Sequence, residues 1–238
     1  MGIFKRAILK TNLLEGMTDI HSHLLPGVDD GMQTREDSLE ALGYMYELGV
    51  KHIYCTPHIM ADLKDNTPEV LRTKFSEFAK AAPQGLELRL AAEYMMDAGF
   101  EAKIKEGLLT MANRHVLVET SYLSPPPSLM DLLYDLSVNG YIPVIAHPER
   151  YMYMYDKDYR KLKESGNKFQ LNLFSLAGTY GLPAQKKAVK FLKDGFYDFT
   201  GSDIHHLENY QYSLLELSLS RSQRTELERL LDNNTDLW

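Results

Sequence analysis

Thr18-Asp19-Ile20-His21-Ser22-His23 closes a short apolar run and is followed within seven residues by Asp29-Asp30-Gly31. Two histidines one residue apart project to the same side if the run is a strand, because successive strand side chains alternate faces. Both imidazoles then leave the strand's end together, as two ligands of one metal ion would. A lone His-x-His is a weak signal. Its weight comes from similar clusters further along, at Thr56-Pro57-His58, Ala92-Glu93, Val118-Glu119, Ala146-His147-Pro148-Glu149-Arg150 and Ser202-Asp203-Ile204-His205.

Working outward, seven strands are predicted, over 17–20, 52–56, 86–91, 116–119, 142–146, 169–174 and 197–200, and these clusters fall at the ends of six of them. Helices are predicted between them. Thr34 caps one, with Glu36 and Asp37 in its first turn and Gly49 at its end. Thr67-Pro68-Glu69 opens a second. Ser128 starts a third that closes at Gly140, a fourth covers 158–165, Pro183 opens a fifth, and two more follow the last strand. Strands alternating with helices imply a parallel sheet with crossover helices. Ligands arriving from six strands converge better at the C-terminal face of a seven-stranded barrel than at the switch point of an open sheet, so an α/β barrel is expected.

The 238 residues are read as one domain, ordinary in composition at 44% hydrophobic and 25% charged. No apolar run approaches the ~18–20 residues that span a membrane. Residues 1–16 combine Lys5, Arg6 and Lys10 with Ile3, Phe4, Ile8 and Leu9, a basic amphipathic arm expected to be a short helix packed on the domain. It has neither the long apolar centre nor the cleavage site of a signal peptide. Cys55 is the only cysteine, which excludes an intrachain disulfide and suits the cytoplasm. A formal charge of −7 argues against a nucleic-acid surface, and divalent cations in the clusters would cancel much of it.

Mixed imidazole and carboxylate donors suit manganese, iron or zinc better than calcium or magnesium. Nine candidate donors exceed the four to six that one ion takes, and fit two or three ions with bridging carboxylates. Closely spaced ions of that kind activate water and stabilise in-line displacement at phosphorus, so phosphoester hydrolysis is the first expectation and amide or ring hydrolysis its rival. His52 and His115 begin strands, on the opposite face, and are read as structural; His206 is ambiguous. Arg150 either pairs with Glu149 or binds phosphate at the mouth of the site. The run Tyr151, Tyr153, Tyr155, Tyr159 is either aromatic packing or a recognition surface. Cys55 lacks the arginine six positions on that a cysteine phosphatase needs, position 61 being Ala61, and is assigned to the core.

Taken together, Asp19-Ile20-His21-Ser22-His23-Leu24-Leu25-Pro26-Gly27-Val28-Asp29-Asp30-Gly31, Thr56-Pro57-His58, Val144-Ile145-Ala146-His147-Pro148-Glu149-Arg150 and Gly201-Ser202-Asp203-Ile204-His205 resemble the polymerase-and-histidinol-phosphatase (PHP) superfamily. Within it they are most similar to the bacterial manganese-dependent protein-tyrosine phosphatases of capsule and exopolysaccharide operons. The resemblance covers about residues 17–210. It implies a distorted seven-stranded (βα)7 TIM-like barrel with a trinuclear metal site. It places one metal on His21, His23, Glu93 and Asp203, a second on Glu93, Glu119 and His147, and a third on Asp30, His58 and His205, with Arg150 binding phosphate. Arg150, His58 and Asp203 are the residues expected to be catalytic. The implied substrate is the tyrosine-phosphorylated tail of a membrane-associated tyrosine autokinase, which would bring a cytoplasmic enzyme to the inner membrane; homo-oligomerisation is left open. Attack by a metal-activated water without a phosphoenzyme is the implied mechanism. A histidinol-phosphate or other small-molecule phosphatase is the alternative, and a non-catalytic kinase regulator a more distant one. The chain departs from the family at Ile59-Met60-Ala61-Asp62, where some relatives carry arginines, and at His206, where relatives carry asparagine.

Overall fold

The apolar runs and capped helices of the sequence fold, in a computed structural model describing residues 5–238, into parallel strands alternating with helices. After a two-residue strand β1 (Arg6–Ala7) come β2 (Thr18–Asp19), α1 (Arg35–Glu47), β3 (His52–Cys55), β4 (His58–Ile59) and α2 (Pro68–Phe78). The middle holds β5 (Glu87–Leu90), β6 (Glu93–Met95), α3 (Phe100–Glu106), β7 (His115–Glu119), α4 (Leu129–Val138) and β8 (Ile142–Ala146). Then follow α5 (Asp156–Glu164), β9 (Lys168–Asn172), α6 (Gly181–Lys193), β10 (Phe199–Gly201), α7 (Leu207–Glu216), β11 (Ser218–Leu219) and α8 (Arg221–Thr235). No helix among the described residues is long and apolar enough to cross a membrane.

Six strands pair in the order β10-β9-β8-β7-β6-β4 and three in the order β2-β3-β5, every pair parallel. The three-stranded sheet runs into the six-stranded one, because β4 continues β3 and β6 continues β5 after two residues each. A parallel bridge between Ser22 and Ile204 links the chain just past β2 to the chain just past β10. Asn234 on α8 ties the same two strands from the other end, its Nδ2 donating to Thr18 O and to Thr200 O at 2.7 Å each.

The β7 and β8 runs are buried on both faces. Val116 and Val118 pack among the helices, while Leu117 points the other way and joins Ile20, Tyr54, Val144, Phe199 and Leu237 in a separate apolar cluster. The Tyr54 hydroxyl donates to Leu237 O at 2.7 Å, and Trp238 stacks on His52 at 4.5 Å. The far end of the strands is therefore plugged by apolar side chains. Polar groups gather at the opposite end.

Several expectations need correction. The strand over 52–56 breaks at Pro57, which has no N–H to give a ladder, and restarts at His58. The strand over 86–91 forms as Glu87–Leu90 and is continued after two residues by an unexpected second segment, Glu93–Met95, and the helix Phe100–Glu106 between two glycines is additional to the expected set. Thr34 and Thr67 cap as expected, accepting from Asp37 N and Val70 N, but Ser128 makes no side-chain cap bond. Helix α6 begins two residues before Pro183. The sixth strand ends at Asn172, where its Oδ1 accepts from Phe174 N and opens a 3-10 turn. Over its described part the N-terminal arm is a short strand followed by a single 3-10 turn: Arg6 and Ala7 pair antiparallel with Leu219 and Ser218, and Ile8–Lys10 form the turn that packs on the domain through buried Ile8. Residues 1–4 of that arm lie outside the described residues.

Candidate metal centre

All nine residues singled out as ligands meet at the C-terminal ends of the parallel strands. His21 and His23 follow β2, His58 follows β3, Glu93 follows β5, Glu119 ends β7, His147 follows β8, and Asp203 and His205 follow β10. Asp30 reaches over from the loop after His23. His21 and His23 do face the same way, their Nε2 atoms 3.2 Å apart.

Three overlapping groups offer donor atoms within 4.8 Å of one another: His21, His23, Glu93 and Asp203; His23, Asp30, His58 and His205; and His58, Glu93 and Glu119. The first is fully buried. The second opens to solvent through Asp30, whose side chain is 73% exposed. The expected trio of Glu93, Glu119 and His147 is also close, with His147 Nε2 at 3.0 Å from Glu93 Oε1 and 3.9 Å from Glu119 Oε2. His58 sits between the groups, its Nδ1 3.2 Å from Glu119 Oε1 and its Nε2 3.5 Å from Asp30 Oδ1.

This donor set suits cations. Three buried carboxylates share the site, and burial beside Glu93 and Asp203 pushes the Glu119 carboxyl well above the usual range. The Nδ1 atoms of His58 and His147 are buried without a hydrogen-bond partner. Facing imidazole nitrogens and clustered carboxylates are costly out of water unless positive charge compensates them. Clustered carboxylate oxygens and imidazole nitrogens are donors of the kind that first-row divalent ions take.

Supporting groups that the sequence reading does not single out hold this arrangement. Asp29 accepts from His23 Nδ1 at 2.8 Å and from the backbone N–H of His58 at 3.0 Å, so one carboxylate orients candidate donors of two groups. Gln170 Oε1 lies 3.1 Å from His21 Nδ1 and accepts from His147 N–H at 3.2 Å. Asn172 Nδ2 donates to Asp203 Oδ2 at 2.8 Å. The sequence holds a signal: Gln170 and Asn172 are polar residues two apart in an apolar strand, hence on one face. His147 (φ 32°) and Asp203 (φ 55°) adopt left-handed backbone that non-glycine residues rarely take, the strain of a site fixed by its surroundings.

Arg150 does not pair with Glu149. Its Nη1 donates to Asp203 Oδ2 at 3.2 Å, whereas Glu149 turns into the core and accepts from Asn172 N–H and the Tyr197 hydroxyl. Of the tyrosine run, Tyr151 and Tyr159 are core residues and Tyr155 is exposed. His52 and His115 lie at the plugged end, as expected. A cavity of ≈ 450 Å³ opens over the cluster, and Arg150, Tyr122, Tyr180 and His206 are among its lining residues.

Cys55 is buried, and burial pushes its thiol up to about 12. At pH 8 only about one molecule in 10⁴ then carries the thiolate, the reactive form. Native protein should therefore resist a thiol reagent that labels it fully in denaturant; stoichiometric labelling of the folded chain would contradict this burial.

Comparison with known proteins agrees with the geometry. The family described as "Capsular polysaccharide synthesis, CpsB/CapC" matches residues 17–228. The chain is 29% identical to the tyrosine-protein phosphatase YwqE of Bacillus subtilis, over 93% of this chain and 91% of that protein. It is 30% identical to the putative tyrosine-protein phosphatase CapC of Staphylococcus aureus, over 91% and 89%. A solved structure from a study of YwqE and Streptococcus pneumoniae CpsB, described as unique metal-dependent tyrosine phosphatases, superposes with a TM-score of 0.75 at 28% identity, covering 91% of this chain and 95% of that one. This α/β chain of parallel strands, with its donors gathered at one end, belongs to the CpsB/CapC family of capsular polysaccharide synthesis.

Proposed function

We propose that this chain is a metal-dependent protein-tyrosine phosphatase acting on phosphotyrosine in the tail of a membrane-associated tyrosine autokinase that regulates capsular or exopolysaccharide synthesis. The observation that carries the reading is Glu93, which meets the imidazoles of His21, His23, His58 and His147 at 3.0–3.3 Å beneath an open cavity edged by Arg150. The relatives' tyrosine-phosphatase names support it. We read the strands as seven staves, two of them broken, of one distorted barrel domain spanning residues 1–238, working in the cytoplasm and reaching the membrane through its kinase.

In this reading His21, His23, Glu93 and Asp203 would hold one ion, Glu93, Glu119 and His147 a second, and Asp30, His58 and His205 a third. Manganese is the preferred ion, with iron and zinc as alternatives. Divalent ions bound there would lower the pKa of water and neutralise charge on phosphoryl oxygens. The chain's own residues do the rest. Asp203 engages one Nη of Arg150, leaving the other guanidinium N–H groups to grip the phosphoryl oxygens. His58 links the buried and open groups. The leaving phenol has a pKa near ~10 and departs with little acid help. No side-chain nucleophile is needed, in keeping with the buried, protonated Cys55.

The test is hydrolysis of a tyrosine-phosphorylated peptide and of histidinol phosphate by metal-stripped protein given manganese, zinc, iron or magnesium, beside a His147→Ala variant. Manganese should restore peptide turnover, and the variant should lose more than ~100-fold, since even groups that merely orient ligands contribute ~10–100-fold. No radiolabel from phosphorus-32 substrate should remain on the protein. Preference for histidinol phosphate, or a trapped phosphoprotein, would overturn the reading.

A further inference from the structure

Arg150 is held by more than its contact with Asp203. Its guanidinium carbon lies 4.1 Å from the ring centroid of Tyr122 and 4.1 Å from that of Tyr180. These tyrosines come from different parts of the chain, one just after β7 and the other at the start of α6. Each ring is tethered by its hydroxyl. That of Tyr122 donates to Glu119 Oε2 at 3.3 Å; that of Tyr180 donates to Asp203 Oδ2 at 3.3 Å and accepts from Asn172 Nδ2 at 2.9 Å. Both thus run from a carboxylate of the candidate centre to the guanidinium. All three side chains line the cavity.

A guanidinium carries its five N–H donors in its plane, so aromatic rings over its faces leave the edge donors free while fixing the plane's orientation. An arginine with four side-chain torsions otherwise samples many orientations over an open cavity, and each substrate encounter would bear the entropy of selecting one.

We propose that Tyr122 and Tyr180 are positioning residues that clamp Arg150 with its unspent edge donors facing the phosphoryl oxygens. The proposal rests on the reading of Arg150 as the phosphate-binding arginine. The rings act through Arg150, and the hydroxyls keep the rings in place.

Inorganic phosphate is the suitable probe, because it has no aryl group for either tyrosine to touch directly. Its affinity for manganese-loaded protein is measured by calorimetry for wild type, Tyr122→Leu, Tyr180→Leu, Tyr122→Phe and Tyr180→Phe, each also combined with Arg150→Ala, at matched manganese content and helicity. Each leucine variant should weaken phosphate binding by about 3–30-fold, the range of partly desolvated cation–π contacts. Each phenylalanine variant should stay within about threefold of wild type, since the ring is kept and only one hydrogen bond of modest net worth is lost. In the Arg150→Ala background the leucine substitutions should add nothing, the non-additivity expected of groups acting through a common partner. For the phosphotyrosyl peptide, the leucine variants should raise KM more than they lower kcat.

Equal leucine losses with and without Arg150 would overturn the clamp, as would leucine variants that bind like wild type while Arg150→Ala is weakened. If Arg150→Ala itself binds phosphate normally, the assignment of Arg150 fails and the clamp with it. Variants that show the predicted phosphate pattern, with a wild-type protein that leaves phosphotyrosine untouched, would support the clamp and refute the tyrosine-phosphatase reading.

Discussion

Glu93→Gln should lower kcat/KM on a phosphotyrosyl peptide by about 10³-fold, the equivalent of ~4 kcal/mol, and leave the protein short of metal. The substitution preserves shape and changes charge. Glu93 Oε2 lies 3.1 Å from His21 Nε2 and 3.3 Å from both His23 Nε2 and His58 Nδ1, while Oε1 lies 3.0 Å from His147 Nε2. Burial alone would raise this carboxyl, but the imidazoles, His21 foremost, hold it well below the usual range, so it is charged in the folded chain. Glutamine presents one carbonyl oxygen and, on the other side, an NH₂ group that can only donate. One of the two oxygen-facing positions therefore acquires a donor directed at a ring nitrogen. Removing one partner from a buried charged set typically costs ~3–5 kcal/mol, because the others stay behind uncompensated. Steady-state kinetics with elemental analysis of the purified variant checks this. Full metal content together with activity within tenfold of wild type would remove Glu93 from the centre of the site.

The strands most legible in the sequence are those whose residues are buried on both sides. The runs at 116–118 and 142–146 are continuously apolar because helices cover one face and the inner cluster the other, and β7 and β8 coincide with the predicted strands at 116–119 and 142–146 to within a residue. The broken staves read as single strands because their interruptions are short: Thr56-Pro57 and Ala91-Ala92 disturb an apolar pattern little, and the pairing keeps its offset across them, His52 opposite Glu87 before the gap and His58 opposite Glu93 after it. Helix α3 escapes notice because seven residues bearing Glu101, Lys103 and Lys105 show too little periodicity for a helical signature. At the centre, residues with characteristic metal chemistry are legible from type and strand-end position. Those acting by orientation are harder to read: Asp29, Tyr122 and Tyr180 have ordinary identities, and Gln170 is marked only as a polar residue on one face of an apolar strand. Their roles depend on partners as distant as His21 from Gln170, 149 positions away.

Gly201→Ala should reduce turnover by about 100-fold and destabilise the fold by ~1–3 kcal/mol, although the added methyl touches no substrate. Gly201 ends β10 beside His21, and a Cβ there would stand 2.6 Å from His21 Cβ, 3.1 Å from its backbone nitrogen and 3.2 Å from Gln170 Nε2. Its φ is not in the left-handed region, so glycine is required by close approach and not by conformation. Neither side yields easily. On the strand side Gly201 is in register with Asn172 of β9, and Ser202 N–H donates to Asp19 Oδ1 at 2.9 Å. On the histidine side Asp203 N–H donates to His21 O at 2.8 Å, and the imidazole is fixed by Gln170. Relief of the clash must shift His21 against Glu93 and Asp203, and a displacement approaching an ångström in a positioned group costs about two orders of magnitude in rate. Gly43→Ala supplies the control: it lies inside α1 with nothing within 4 Å of an added Cβ and no positive φ, so it should stabilise by ~0.5–1 kcal/mol with unchanged turnover. Thermal unfolding and kinetics of the two variants measured together separate the effects. If Gly201→Ala unfolds and turns over like wild type, the packing of His21 against β10 does not set the geometry of the centre. If it loses stability alone, with turnover intact, the contact is one of folding and the imidazole recovers its position by moving with the strand.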